Sequence, residues 1–324
     1  MTKMTSDEAT IKRVIAFEVS KAELVCHLLP EDERLRVPNT PAGVGRVLRR
    51  WAKERIGLLI VCEATGSYDR HVLAESVAVG LPVHRAHGSR VRAFARYLGQ
   101  SAKTDRIDAR LIALYGLRTE DLRLYLPPTP EEEALRALRK RRDELCEIVR
   151  MEENRAEHAM LPRVRRSIRQ HAKALTQEIA ALEEEVNALI EATPALAGKA
   201  ALMRSIKGVG PHTASAVLAY LPEIGQLTKG EAAAIVGLAP YARDSGQQQG
   251  KRHIGGGRAL VRKSLYMAAL VAKTYNPALK RFADSLTARG KPPKLVLTAV
   301  MRKLIVLINA VVASEEPCHL NQTA

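Results

Sequence analysis

Four acidic residues in the first third of the chain are the strongest candidates for chemistry. Glu18 follows the apolar run 14–17, and Glu63 follows the apolar run 58–62. Asp105 and Asp108 are three residues apart, so on a helix they share one face. Carboxylates in this arrangement fit Mg²⁺, and two such ions about 4 Å apart can hold both oxygens of a phosphodiester displacement. Each acid taken alone is more typical of a surface or helix-capping residue, so the prediction of a metal site rests on the set.

A second candidate group lies in the last third of the chain. Ser245 precedes Gly246, and a run of cations interleaved with glycines follows it: Lys251, Arg252, Arg258, Arg262 and Lys263. A Ser-Gly pair is routine in turns. Glycines allow close backbone approach and cations bind phosphate, so the segment is typical of contact with a nucleic-acid backbone. A solvated basic loop is the alternative interpretation.

The segment 205–214 is similar to a helix-hairpin-helix turn. Such a turn directs backbone N–H groups and a helix N-terminus at a phosphate, here through Lys207, Gly208 and Gly210. His212 is predicted to be a helix-start residue, because no second His or Cys stands at a metal-binding spacing.

The elements that must position these residues follow from the apolar pattern. Residues 14–17 and 23–29 are predicted to form an antiparallel hairpin, and residues 58–62 and 82–84 are predicted to be strands. Predicted helices span residues 44–55 and 68–79. Strands that alternate with helices indicate an α/β sheet, which places Glu18 and Glu63 at strand ends.

A helical region follows a proline-rich linker at residues 126–130. Thr129, Pro130 and Glu132 predict a helix start with a capping box. Pro162 interrupts the pattern, which indicates two helices or one kinked helix. The stripe Leu175, Ile179, Leu182, Val186 and Leu189 has the spacing of a coiled coil, which fits an intramolecular hairpin and dimerisation about equally. The predicted domains are residues 1–126, 127–198 and 199–324, and the last ends in a long helix over 293–313.

Composition restricts the partners. The chain of 324 residues carries 51 Lys and Arg against 35 Asp and Glu, a formal charge of +16, which favours a nucleic-acid partner. Aromatic residues make up only 4%, so a base-stacking RNA platform is not expected. The four cysteines form no CxxC pair, and no signal peptide or membrane span is predicted. A soluble, basic, intracellular protein is the expectation.

The ordered set of motifs resembles a known family. It comprises Glu18-Val19-Ser20-Lys21, Glu63-Ala64-Thr65-Gly66, residues 103–109 (KTDRIDA), Gly208-Val209-Gly210, residues 237–240 (GLAP), Asp244-Ser245-Gly246, Gly250-Lys251-Arg252 and Ala288-Arg289-Gly290-Lys291. In this order they resemble the IS110/IS1111 group of insertion-sequence transposases, the bridge-RNA-guided recombinases.

The resemblance implies a RuvC-like, ribonuclease-H-type α/β domain, a coiled-coil connector and a mainly α-helical transposase domain. By motif, the DEDD acids that hold Mg²⁺ are Glu18, Glu63, Asp105 and Asp108, and the nucleophile that joins covalently to DNA is Ser245. The family usually has Asp at the first position, where this chain has Glu18. The implied partners are donor and target duplex DNA, a structured non-coding guide RNA, and further copies of the chain in a dimer or tetramer, with the active site assembled across protomers.

Two other functions are compatible with the same residues. A RuvC-type endonuclease would use metal-activated water, leave free nicked ends and make no use of Ser245. A non-catalytic protein with a decayed metal site at Glu18 would bind nucleic acid with steep salt dependence and cleave nothing.

Overall fold

The computed structural model describes residues 11–99, 109–120, 122–241 and 253–318. The chain divides into two compact units, Met1–Pro127 and Pro128–Ala324. This boundary lies one residue from the predicted boundary at 126/127, and the predicted helical connector and C-terminal domain share the second unit. Asp105, Asp108, Ser245, Lys251 and Arg252 lie outside the described residues.

The first unit is built on a five-stranded mixed sheet. Its strands are β1 (Arg13–Val19), β2 (Glu23–Leu29), β3 (Glu33–Pro38), β4 (Leu58–Glu63) and β5 (Val83–Ala86), in the spatial order β3-β2-β1-β4-β5. Strands β1, β2 and β3 pair antiparallel, whereas β4 runs parallel to both β1 and β5. The predicted hairpin of β1 and β2 is confirmed.

Helices cover both faces of this sheet. They are α1 (Pro41–Trp51), α2 (Arg70–Ala78), α3 (Gly88–Tyr97) and α4 (Ala109–Arg118). Helices α1 and α2 pack on the face of Ile15, Phe17 and Ile60, and α3 and α4 pack on the opposite face. Both faces are therefore buried, which explains the nearly continuous apolar sequence of β1 and β4.

The second unit begins with two long helices, α5 (Pro130–His158) and α6 (Pro162–Ala192), which pack against each other as an intramolecular hairpin. The predicted capping box at the start of α5 is present. Thr129 Oγ1 accepts a hydrogen bond from the Glu132 backbone N–H at 3.2 Å, and Glu132 Oε2 accepts one from the Thr129 backbone N–H at 3.1 Å. Pro162 begins α6, so the proline separates two helices.

The described part of this unit contains six further helices: α7 (Pro194–Arg204), α8 (Pro211–Tyr220), α9 (Lys229–Ile235), α10 (Ala259–Tyr275), α11 (Pro277–Ala288) and α12 (Pro293–Ser314). One core joins them to the base of the hairpin, through Leu135, Val186 and Ile190. Helix α12 is long and apolar enough to cross a membrane by composition, but Val300, Leu304 and Ile308 are fully buried in this core. Burial in the core accounts for its apolar sequence.

The sequence pattern does not indicate strand β3. It carries only two apolar positions that face the protein, Leu35 and Val37, between charged residues. The strand lies at the edge of the sheet, where charged side chains are common because they discourage pairing with another chain. Its place is set by backbone pairing with β2, which a local pattern cannot show.

Candidate active site

Glu18 and Glu63 lie side by side at the carboxyl ends of two parallel strands. The register pairs Phe17 of β1 with Cys62 of β4, and each acid is the next residue along its strand. Side chains alternate along a strand. Because Val14 and Ala16 pack with Leu59 and Val61 on one face, both acids point to that same face, which α3 and α4 cover. Both side chains are half-buried.

The carboxylate of Glu63 lies against the first residue of α3. A Cβ added to Gly88 would stand 2.3 Å from Glu63 Oε1, so a larger residue at this position would displace the carboxylate from where it lies. Burial raises the pKa of the Glu63 carboxyl above its ordinary value, while the nearby charges of Arg92 and His87 act in the opposite direction. A cation placed beside a half-buried carboxyl group of this kind stabilises its ionised form.

Asn39 joins the two loops that follow these strands. Its Nδ2 donates to the backbone oxygen of Ser20 at 2.8 Å and to that of Tyr68 at 2.9 Å. Ser20 follows β1, and Tyr68 lies in the loop after β4. One side chain therefore holds the loops beyond both acids at a fixed separation.

An ion pair between a buried aspartate and a more exposed arginine supports the loop after β4. Asp69 is 1% exposed and accepts a hydrogen bond from Arg85 Nε of β5. Arg85 Nη2 also donates to the backbone oxygen of Gly66 at 3.0 Å. Asn39, Asp69 and Arg85 were not identified from the sequence. They are ordinary polar residues, and no spacing in the sequence connects them to the acids.

The other two predicted acids, Asp105 and Asp108, directly precede α4, which begins at Ala109. Leu111 and Ile112 of this helix pack with Val14, Ala16 and Val61, on the sheet face to which Glu18 and Glu63 point. Within the described residues no group of three or more His, Cys, Asp or Glu side chains is placed to hold a metal ion. The complete four-carboxylate site therefore stays a prediction.

The segment that contains Ser245 starts and ends at one backbone bridge. The Tyr241 N–H donates to the His253 backbone oxygen at 2.9 Å, and the His253 N–H donates to the Tyr241 backbone oxygen at 3.2 Å. The base of the segment is fastened to the end of α9, because the Arg258 N–H donates to the Ile235 oxygen at 2.8 Å. Ser245 itself lies outside the described residues.

Three of the predicted nucleic-acid-binding cations make contacts within the chain. Arg258 forms a two-pronged ion pair with Glu223, which is 4% exposed. Arg262 Nη1 donates to the backbone oxygens of Val236 and Gly256 at 2.8 and 2.7 Å. Lys263 Nζ lies 2.6 Å from Glu147 Oε1 of α5. These contacts give the three side chains structural roles in addition to the predicted phosphate contact.

The glycine turn before α8 has two different glycines. Gly208 has a φ of +109°, and a Cβ there would stand 2.6 Å from the Ala272 Cβ of α10, so packing and conformation both require glycine. Gly210 is the N-cap of α8 and has open space around it. Lys207 is fixed through its backbone oxygen, which accepts from Asn276 Nδ2 at 3.3 Å. Of the two glycines, only Gly210 has open space where a side chain would stand.

Comparison with known proteins connects this arrangement to DNA chemistry. Residues 19–165 match the family model of IS110 DEDD transposases, described as "Transposase". Residues 200–284 match the model described as "Transposase IS116/IS110/IS902 family". The first match begins one residue after Glu18 and includes Glu63, Asp105 and Asp108; the second includes Ser245 and the cations that follow it.

Two curated relatives extend over most of the chain. They are the pilin gene-inverting proteins of Moraxella lacunata and Moraxella bovis, each 29% identical over 264 residues, which is 80% of this chain and 81% of the relative. The two family matches, the relatives and the strand-end carboxylates agree, and the chain belongs to the IS110 family of transposases, enzymes that act on DNA in recombination and transposition.

Proposed function

We propose that the chain is an RNA-guided DNA recombinase that excises and inserts a mobile element by Mg²⁺-dependent transesterification through a covalent serine–DNA intermediate. The observation that carries this proposal is the position of Glu18 and Glu63 on one sheet face, at the adjoining carboxyl ends of β1 and β4. Two parallel strands that end in carboxylates are a natural source of oxygen ligands for a divalent cation. The matching pilin gene-inverting proteins support recombination over simple cleavage.

The donor atoms fit a hard divalent cation. The proposed ligands are Glu18, Glu63, Asp105 and Asp108, all of them carboxylates. Thr65 Oγ1, two residues after Glu63, is buried and has no hydrogen-bond partner in the described part of the chain. When bound, Mg²⁺ supplies positive charge that stabilises the charge developing on the scissile phosphate. The antiparallel β1–β2–β3 set followed by parallel β4 and β5 supports a RuvC-like fold for this unit.

Ser245 is the proposed nucleophile. Its Oγ attacks the phosphorus of the scissile phosphodiester, forms an Oγ–P bond, and releases the deoxyribose oxygen on the other side of the phosphorus. The serine proton passes to a nearby base, and the released oxygen takes up a proton. Because the new bond is again a phosphodiester, the reverse attack by a DNA hydroxyl reseals the strand without an external energy source.

Denaturing electrophoresis of end-labelled DNA with Mg²⁺ and the element's own flanking RNA tests this chemistry. We expect a protein–DNA adduct with the wild-type chain and none with Ser245→Ala, which still binds DNA. Ser285→Ala on the exposed side of α11 is the matched control and keeps the adduct. An adduct that persists in Ser245→Ala contradicts the assignment. Free nicked ends without an adduct favour the nuclease that uses activated water.

Guide RNA is proposed from the family and is supported by the formal charge of +16. We expect the purified chain to carry a discrete RNA and to lose recombination after ribonuclease treatment. Addition of the same RNA made by transcription should restore recombination. Full activity on DNA after removal of all RNA would exclude guidance.

A further inference from the structure

The first half of α6 carries a strongly basic face that the chemistry above does not use. Residues 162–176 contain five Lys and Arg and no Asp or Glu, whereas residues 177–192 contain five Glu and no Lys or Arg. The basic residues are Arg163, Arg165, Arg166, Arg169 and Lys173, and all of them are exposed. The helix is therefore divided into a cationic half and an anionic half.

This order of charges does not serve helix stability. The N-terminus of a helix favours negative charge and its C-terminus favours positive charge. Helix α5 follows this rule, with Glu131, Glu132 and Glu133 in its first turn and Arg155 and His158 in its last. Helix α6 is the reverse, with no acid in its first turn and no base in its last. A charge order that opposes the dipole needs another explanation, and a bound anion supplies one.

Three of the cations lie on the side of α6 that faces away from α5. Ile168 and Ala172 line depressions shared with α5 residues, which marks the inner side. Arg163, Arg166 and Lys173, with Gln170 between them, are spaced by three and four residues and lie on the opposite side. We call these four residues the α6 basic face. At a rise of 1.5 Å per residue, the face extends over about 15 Å.

The face carries uncompensated charge. No carboxylate of the described residues lies within 4 Å of the charged nitrogens of Arg163, Arg166 or Lys173. Arg169 is different, since it lines a depression together with Glu153 and Glu157 of α5. Arg165 is also engaged, because its Nη2 donates to the Ala159 oxygen at 2.8 Å. The positive charge available to a partner is therefore concentrated on the α6 basic face.

We propose that the α6 basic face binds the phosphate backbone of duplex DNA. Duplex DNA carries one negative charge per about 1.7 Å of axis, so a straight row of cations meets several phosphates at once. The choice of duplex DNA over duplex RNA rests on the family, whose enzymes act on DNA. Single strands are disfavoured, since residues 162–176 contain no Phe, Tyr or Trp on which bases could stack.

A binding measurement tests this interface without any cleavage step, so it can fail or succeed independently of the serine and metal proposals. The variant is the full chain with Arg163→Gln, Arg166→Gln and Lys173→Gln. The matched control removes three exposed cations of α11 and α12, with Arg281→Gln, Lys294→Gln and Arg302→Gln. The probe is a fluorescently labelled 30-base-pair DNA duplex, titrated by anisotropy between 50 and 200 mM salt.

We expect the slope of log affinity against log salt to fall by about 2 to 3 in the α6 variant, since each lost phosphate contact removes about 0.9. The control should change the slope by less than 1. An equal fall of the slope in both variants would assign the effect to net charge and overturn the proposal. An unchanged slope in the α6 variant would also overturn it. If the slope of the α6 variant falls more with a 30-base-pair RNA duplex than with the DNA duplex, the choice of DNA is overturned.

A second measurement does not depend on the triple variant. A photo-crosslinking amino acid at Gln170 should crosslink to the DNA duplex, and the same group at Ala181, in the anionic half of α6, should not. Both positions are exposed on the helix. Crosslinking at Ala181 but not at Gln170 would contradict the proposed orientation. The melting temperature of the triple variant should equal or exceed that of the wild type, because the removed charges oppose the helix dipole.

Discussion

Glu18 is the residue at which this chain departs from the usual family motif. Glutamate reaches about 1.5 Å further than aspartate, and misplacement by about 1 Å near a reacting centre can cost on the order of a hundredfold in rate. Glu63 beside it lies against Gly88. We expect Glu18 to be an adapted ligand. Glu18→Gln should then lower the rate of Mg²⁺-dependent cleavage of labelled DNA by about a hundredfold or more. Glu18→Asp should cleave at the wild-type rate or more slowly.

Two results would change this interpretation. Cleavage that rises in Glu18→Asp would identify Glu18 as a disabling change, and wild-type cleavage in Glu18→Gln would remove it from the site. Glu23→Gln is a suitable control, since Glu23 is an exposed acid at the start of β2 that pairs with Arg36.

Arg258 and Lys263 are both predicted to bind nucleic acid, yet their surroundings differ. Arg258 pairs with the buried Glu223, whereas Lys263 and Glu147 form an exposed pair. The Arg258 side chain is 33% exposed, so leaving the buried Glu223 carboxylate unpaired costs about 2–3 kcal/mol, whereas an exposed pair contributes about 1 kcal/mol or less. Chemical denaturation should therefore show a large loss of unfolding free energy in Arg258→Gln and little change in Lys263→Gln. Equal losses would contradict the structural role of Arg258.

At the scale of elements, a polar network fastens α8 to the helical hairpin. Tyr220 Oη donates to Asp143 Oδ2 at 2.9 Å, and Arg142 pairs with both Asp143 and Glu183, so the network includes residues of α5, α6 and α8. His212, in the first turn of α8, lies 3.4 Å from Arg139 Nη2. The arrangement holds the turn around Gly210 at a fixed place beside α5.

This network predicts a dependence of stability on pH. Burial, together with the charges of Arg139 and Arg142, lowers the pKa of His212 from 6.5 to about 4, while Asp143 and Glu183 oppose the shift. The unfolded chain then binds more protons between these values, so the stabilisation is complete above pH 6.5 and is lost as the pH falls towards 4. Because the ring is partly exposed, we expect an effect of about 1 kcal/mol.

Denaturation at pH 7.5, 5.5 and 4.5 measures this effect as the difference between the wild type and His212→Gln. The variant should lose less unfolding free energy than the wild type as the pH falls. His158→Gln at the exposed end of α5 is the control and should follow the wild type. Parallel pH profiles for His212→Gln and the wild type would exclude His212 as the titrating group.

At the scale of the whole molecule, the acids and the serine belong to different units. Glu18 and Glu63 lie in Met1–Pro127, and Ser245 lies in Pro128–Ala324. If the active site is assembled across protomers, Glu63→Gln and Ser245→Ala are each inactive alone but complement each other. In a randomly mixed population of dimers, about a quarter of the composite sites would be intact. Recombination should therefore return to about a quarter of the wild-type level. Recombination that stays at background in the mixture would place both groups in one protomer.

Much of the local structure follows from the sequence. The apolar runs before Glu18 and Glu63 predict strands that end in acids, and the start of α5 is predicted from Thr129, Pro130 and Glu132. The family motif assigns the proposed site residues. These features can be predicted from the sequence because strand alternation, helix capping and proline geometry depend on residues that are close in the chain.

Tertiary structure decided what these features do together. The parallel pairing of β1 with β4 sets Glu18 beside Glu63 although 45 positions separate them in the chain. Pairing with Glu223 gives Arg258 a structural contact, and contact with Ala272 explains Gly208. Asn39 connects two loops that no local pattern relates. Each of these outcomes depends on contacts between residues far apart in the chain, whose energies depend on register, burial and partner, and a single sequence shows none of these.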